Sequence, residues 1–285
     1  MTKIKPIAVH VHLFYTDMWD ELSVQLNNIK DTPYHLYVTL TNEDSVLINK
    51  IKQFHPNTNV FIVPNMGYDI GPFIEFLNKI KLDDYSYVLK LHSKRPTNGP
   101  DTKIKHLPVT RHYWKVLLSE ALIGSEKIWK NNINQFETTT QLGMIGSPHL
   151  IKKIDNCDKP LLPELEKQLK RLNLNIPNNF SFIAGTMFIV RSQLLKVIQN
   201  KYSIEDFQTT DGAIKDGTFA HVFERLFGAI IIAQNYNIKG FSRNYMFVFS
   251  AICKIIGRFF YQRKTTKHNK ILIKVCKIPV FQKSI

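Results

Sequence analysis

The sequence predicts an α/β fold, a mostly parallel sheet with flanking helices. Three observations carry this. Strand-like and helix-spaced runs alternate through the first 95 residues, making two or three βα units. Residues 63–95 read as a strand end, a loop with two glycines, a helix, a second strand and an unusually polar exit. A hydrophobic share of 44% with 19 Phe in 285 residues is enough for one large domain, or a domain with an appendage.

In order, residues 7–15 (IAVHVHLFY) are strand-like, and in 18–29 Trp19, Leu22, Leu26 and Ile29 fall at helical spacing. Residues 34–40 form a second strand. The run Thr41-Asn42-Glu43-Asp44 opens a helix carrying Val46, Leu47, Ile51 and Phe54. Residues 60–63 make a short third strand. Gly67 and Gly71 then tolerate positive φ and let a ligand approach the backbone. Pro72 suits a first helical turn, so 73–80 is predicted helical, its amide end facing the loop. Residues 85–91 form a strand whose exit carries Lys90, His92, Lys94 and Arg95, the first three on one face at period two. Cations at a strand exit near a helix N-terminus can seat phosphates, which points to a nucleotide-linked substrate; a solvated basic turn would look the same.

Residues 96–108 are polar, rich in breakers and predicted to be a loop. A helix is expected over 113–136, broken near Gly124, then a strand over 142–147 and an amphipathic helix over 161–172. Residues 180–191 read as one strand with Gly185 inside it, where something approaches the backbone closely. Ser192 caps a helix through Ile198, and 217–233 forms a helix with His221, Glu224 and Arg225 on adjoining faces.

Cys157, Cys253 and Cys276 are odd in number and far apart, which argues against a disulfide framework or structural zinc and fits a reducing compartment. The N-terminus meets polar residues too early for a signal-peptide core, and no window offers a membrane-spanning apolar run. A cytoplasmic protein is expected. The net charge of +15 is uneven: Glu224 is the last acidic residue, and residues 225–285 hold 12 Lys and Arg. Residues 1–224 carry only +3.

An ordered set of motifs spans residues 7–228: His10-Val-His12-Leu-Phe-Tyr15, Tyr37-Val-Thr39, Asn65-Met-Gly67-Tyr-Asp69-Ile-Gly71-Pro72-Phe73, Lys90-Leu-His92-Ser-Lys94, Gly185-Thr-Met-Phe188 with Arg191, and Asp211-Gly with Ala220-His221 and Glu224-Arg225. In this set the chain resembles the rhamnan synthesis protein F family of bacterial polysaccharide glycosyltransferases. The resemblance implies transfer of an activated sugar onto a surface polysaccharide, such as a rhamnose-rich polymer, O-antigen or capsule. Deoxythymidine-diphosphate rhamnose is the donor the family name suggests, with UDP-galactofuranose a substitute. It also implies a GT-A-like layout: a glycosyltransferase domain over 1–245, with a donor-binding half over 1–95 and an acceptor half over 110–245. Where such enzymes commonly carry a metal-binding Asp-x-Asp, this chain has Lys90-Leu-His92-Ser-Lys94. Cations replacing the ion would make the enzyme metal-independent. No cofactor is therefore expected and no metal ligands are assigned, with magnesium or manganese at Asp69 or Asp83-Asp84 left open.

Within that resemblance, inversion needs a carboxylate base, and Glu224 is the first candidate, with His221 beside it and Asp211 as runner-up. A structural Glu–Arg pair and an Asp-Gly turn are the plain alternatives. His12, Tyr15, Thr39, Asn65, Gly67, Asp69, Gly71, Lys90, His92 and Lys94 are assigned to the donor. Gly185, Thr186 and Arg225 are assigned to the acceptor side. His10 and His12 share a strand face; satisfied histidines in a packed sheet, or the metal pair of a phosphohydrolase, are other readings of His-x-His. Asn65 and Asp69 could reach sugar hydroxyls or close an Asx turn.

Residues 246–285 are predicted to be a basic amphipathic helical tail. Ala251, Ile252, Ile255, Ile256, Phe259 and Phe260 make an apolar stripe opposite Lys254 and Arg258. Lys270, Lys274 and Lys277 recur beside Ile271, Leu272, Val275 and Ile278. Two such helices fit an interfacial anchor on an anionic membrane, with nine cations between Ser250 and Ile285. Nucleic-acid binding is the rival, disfavoured because the aromatics lie in apolar stripes. The expected partners are thus a nucleotide-sugar donor, a lipid-linked glycan acceptor, the inner face of the plasma membrane and other polysaccharide-synthesis enzymes. A non-catalytic polysaccharide-binding subunit is the non-enzymatic alternative.

Overall fold

The computed structural model describes the chain except residues 1–4, 96–101, 105–106, 110, 176, 178, 210–217, 243–251, 253–255, 257–259, 266–269, 276–277 and 285. Strands β1 (Ile7–Leu13), β2 (Tyr34–Leu40), β3 (Asn59–Ile62) and β4 (Tyr87–His92) alternate with helices α1 (Trp19–Leu26), α2 (Ser45–Phe54) and α3 (Ile70–Lys79). Every residue of β1 and β4 is buried, as a strand covered on both faces must be. Asp44 caps α2 by accepting from Leu47 N at 2.9 Å. After β4 come β5 (Thr102–Ile104), β6 (Leu107–Val109), α4 (Arg111–Ile123), α5 (Glu126–Thr138), β7 (Leu142–Ile145), β8 (Ile151–Lys153) and α6 (Leu162–Arg171). Then follow β9 (Ser181–Ile183), β10 (Phe188–Arg191), α7 (Phe219–Ala233), β11 (Asn237–Lys239), β12 (Tyr261–Thr265), β13 (Lys270–Val275) and β14 (Ile278–Ser284).

The main sheet has seven strands in the order β11-β7-β10-β4-β1-β2-β3. All neighbours run parallel except at β10, which is antiparallel to β4 and β7. From β1 the chain winds outward through β2 and β3, then crosses back to β4 on the other side. The carboxyl ends of β1 and β4 therefore flank a topological switch point, where open α/β sheets bind ligands. Phe73, Phe76 and Leu77 of α3 pack with Phe188 of β10 and Phe223, Phe227 and Ile230 of α7 in the core beneath it.

Backbone contacts divide the chain into one unit of residues 1–95 and 115–243 and another of 96–114 and 244–285. The second contains a β5–β6 hairpin and an antiparallel β12-β13-β14 sheet.

Four expectations are corrected. The stretch 180–191 is two strands, because Gly185 (φ +83°) and Thr186 (φ +51°) turn the chain between β9 and β10. After Ser192 the backbone forms a 3-10 turn, Ser192–Leu195, in place of the helix to Ile198. The predicted loop over 96–108 contains the β5 strand and part of β6. The second tail helix is absent: Lys270–Val275 is a strand, as the alternating β-branched Ile271, Ile273 and Val275 favour. Of the first, Ile252, Ile256 and Phe260 are helical, and Ala251, Lys254, Ile255, Arg258 and Phe259 lie outside the described residues.

Candidate active site

The site grows from one face of three adjacent strands. His10 and His12 lie at i and i+2 on β1; register places Lys90 and His92 of β4 beside them, and Thr39 of β2 beside His12. All five are buried. This polar strip lies under α3, with the His10 ring stacked on Phe76 at 4.7 Å. Thr39 Oγ1 is 3.0 Å from His10 Nε2 and 3.0 Å from His12 Nδ1. Burial pushes the His12 ring down to about 3, and burial with the nearby Lys90 charge holds His10 well below its ordinary value.

Lys90 is the centre. Its ammonium donates to Asp69 Oδ2, to the Thr186 carbonyl at 3.0 Å and to Thr186 Oγ1 at 3.2 Å. The Thr186 hydroxyl also donates to Asp69 Oδ2. Burial opposes ionisation of Asp69, but His92, Lys90 and the two hydrogen bonds outweigh it and hold the carboxyl far below the usual range. Asp69 ends the glycine loop at the start of α3, so the pair ties that loop to β4 and to the β9–β10 turn.

The turn continues the network. His92 Nε2 donates to the Gly185 carbonyl at 3.0 Å, and burial lowers that ring against the pull of Asp69. Gly185 N–H donates to Glu224 Oε1 at 2.6 Å, and Arg225 Nη1 donates to Glu224 Oε2. Arg225 Nε reaches buried Asp158 at 3.0 Å, and its guanidinium lies 4.8 Å over the Phe182 ring. Burial raises Glu224 above the ordinary carboxylate value, with Arg225 and the Gly185 N–H opposing.

Packing fixes the loop. Gly67 (φ +67°) donates to the Gln208 carbonyl at 3.0 Å, and a Cβ there would sit 2.6 Å from the Phe207 ring. A Cβ on Gly71 would strike the Met66 carbonyl. Tyr68 (φ +56°) meets the His221 ring edge-on at 5.9 Å, joining the loop to α7, while His221 Nδ1 lies 2.7 Å from Thr218 Oγ1. At the rim, Tyr15 N–H donates to Ser93 Oγ at 2.8 Å and its ring lies under Arg95, which bonds Asp17.

The structure thus links His12, Thr39, Asp69, Lys90, His92, Gly185, Thr186, Glu224 and Arg225 around one edge of the sheet. Asn65, Gly67 and Gly71 shape the loop, and Tyr15 and His221 stand at its borders. The proposed trio of cations is divided: Lys90 and His92 are buried and internally bonded, whereas Lys94 is exposed past the strand end. Asp211 lies outside the described residues. Sequence reading missed Asp158 and the 207–209 segment; neither carries a motif, and only the fold brings them in. His10 and His12 converge on Thr39. Among the described residues no three His, Cys, Asp or Glu side chains gather as a metal site. No described helix is long and apolar enough to cross a membrane.

Two Xanthomonas campestris pv. campestris proteins, from strains B100 and ATCC 33913 and both called uncharacterized protein WxcX, are each 25% identical over 236 residues. The match covers 81% of this chain and 32% of theirs, so the chain spans about a third of the length of these curated relatives. Among solved structures, S. aureus TarS 1-349 aligns with a TM-score of 0.40 at 10% identity, over 82% of this chain and 57% of that one. Residues 1–236 match the family described as rhamnan synthesis protein F. With most of its length inside that match, this chain belongs to the rhamnan synthesis protein F family.

Proposed function

We propose that this chain is an inverting, GT-A-like glycosyltransferase. It moves a rhamnose- or galactofuranose-type sugar from a nucleoside-diphosphate donor to a lipid-linked surface polysaccharide such as an O-antigen or capsule precursor. The observation that carries this reading is the buried polar strip at the β1/β4 switch point. In a packed α/β protein such a strip costs stability, and it sits where a nucleotide ligand belongs. The donor diphosphate lies against the loop 65–71 and the ends of β1 and β4. Asp69, Lys90 and Thr186 hold that loop to the acceptor-side turn.

Glu224 takes the proton from the acceptor hydroxyl as the sugar's anomeric carbon is attacked and the diphosphate leaves. Two features support it: burial raises its proton affinity, and its Oε1 reaches the turn that touches both His92 and Lys90. The bracing of both its oxygens is what a purely structural Glu–Arg pair would also show, and the non-catalytic polysaccharide-binding reading rests on it. Lys90 favours the outgoing diphosphate through its charge, without a resident metal.

The tail is proposed to dock on the anionic cytoplasmic face of the membrane. Ile252, Ile256 and Phe260, four positions apart and each helical, are 45%, 49% and 56% exposed, and the cations nearby in sequence suit a charged leaflet.

The test is a panel of nucleotide sugars with a lipid-linked acceptor, with and without EDTA, scoring released nucleotide. Turnover of one donor in EDTA, abolished by Glu224→Gln with donor binding kept, is the expected result. Turnover that needs added magnesium or manganese overturns the metal-free mechanism. Silence with acceptor present favours the binding subunit.

A further inference from the structure

The His10–Thr39–His12 group has a hydrogen count that can be worked out. The Thr39 hydroxyl carries one hydrogen and can donate it to only one ring. Both rings are neutral, since each is buried and His10 adjoins Lys90 in the sheet. Three arrangements follow. In the first, Thr39 donates to His10 Nε2, so the His10 hydrogen sits on Nδ1. That atom is buried without a partner, and an orphaned N–H results. In the second, both rings donate to Thr39, whose own hydrogen then has no acceptor among the described residues, in a fully buried side chain. In the third, His10 Nε2–H donates to Thr39 and Thr39 donates to His12 Nδ1. His10 Nδ1 is then a bare lone pair beside the Phe76 ring, and the one hydrogen left over is on His12 Nε2, which is not among the buried unpartnered atoms. Orphaned buried hydrogens are the rarer and costlier defect, so the third arrangement wins.

We propose that His10 and Thr39 are positioning residues that hold His12 as its Nε2–H tautomer, so that the end of β1 offers an uncharged N–H donor to an oxygen of the nucleoside diphosphate. Its use by the donor rests on the glycosyltransferase reading; the tautomer does not. The His-x-His spacing is then the device that relays a tautomer through one threonine, a role distinct from binding metal. The low proton affinity of both rings keeps the relay uncharged through the neutral range.

The experiment is nitrogen-15 NMR of the histidine rings in the whole chain, with His12 assigned by His12→Gln, before and after adding UDP or dTDP. The expected result is a protonated Nε2 and an unprotonated Nδ1 on His12. Thr39→Val should mix the tautomers and weaken nucleotide binding about tenfold, with kcat changed less than KM, while Thr39→Ser restores both. A hydrogen on Nδ1 of His12 in the unaltered protein overturns the relay, whatever nucleotide does. The expected tautomer, with no response of His12 to either nucleotide, upholds the relay and overturns its use by the donor. The unaltered protein and Thr39→Ser keep the test decisive even where Thr39→Val does not fold.

Discussion

Lys90–Asp69 and Lys50–Asp20 are both lysine–aspartate pairs in the same unit, and they differ in nearly everything else. The Lys90 and Asp69 side chains are 1% and 18% exposed, and their partners include a strained threonine; those of Lys50 and Asp20 are 52% and 69% exposed and bridge two surface helices at 2.5 Å. A surface pair is nearly free to form and break. A buried pair is costly to desolvate, and replacing both partners with apolar groups is often harmless to stability. The inner pair is therefore better explained by what it holds in place, the glycine loop against the β9–β10 turn, than by stability.

The largest effect should come from cutting the inner pair on one side. Asp69→Ala strands a buried ammonium and should cost about 3–5 kcal/mol in a urea titration. The double variant Asp69→Asn, Lys90→Met should recover most of that while nucleotide binding stays lost; full recovery of binding would make the pair dispensable scaffolding. Next, Gly185→Ala puts a Cβ into Leu118 at φ +83° and should cost about 2 kcal/mol or more, with transfer lost ahead of folding.

Acidification probes the neutral histidines of the same strip. Their folded values are depressed, so the stability they allow is present above the unfolded value of 6.5 and is lost as pH falls from there; for His12 the loss runs down to about 3. Each should add a slope of up to about 1.4 kcal/mol per pH unit within its window. Denaturant midpoints at pH 7.5 and pH 5 should differ, and His10→Phe should shrink the difference. Smallest of all, Asp20→Ala should leave both the melting midpoint and turnover unchanged.

Much of this was readable in the sequence because the inner strands carry it on the backbone. Residues 7–13 and 34–40 are apolar, aromatic or β-branched apart from His10, His12 and His35, and the loop at Gly67 and Gly71 announces its own tight turn. The break at Gly124 between α4 and α5 was legible for the same reason. What could not be read was which distant residues meet. Asp69, Lys90 and Thr186 are separated by 21 and 96 positions, and nothing local in any of them names the others. The 180–191 run looks like one strand because Thr186, a β-former, occupies a left-handed turn position where Asn or Gly would have signalled it. In the tail, Lys270, Lys274 and Lys277 satisfy helical spacing, yet β-branched residues between them favour the strand that forms.

The most direct test of the central claim, that the buried strip at the β1/β4 switch point binds the sugar donor's nucleotide, is calorimetric titration of UDP and dTDP in EDTA into the unaltered protein and the Asp69→Asn, Lys90→Met double variant. Binding of one nucleotide by the unaltered protein, weakened at least about tenfold in a folded double variant, is the predicted result. Equal binding by both proteins, or no binding of either nucleotide even with magnesium or manganese restored, would contradict it.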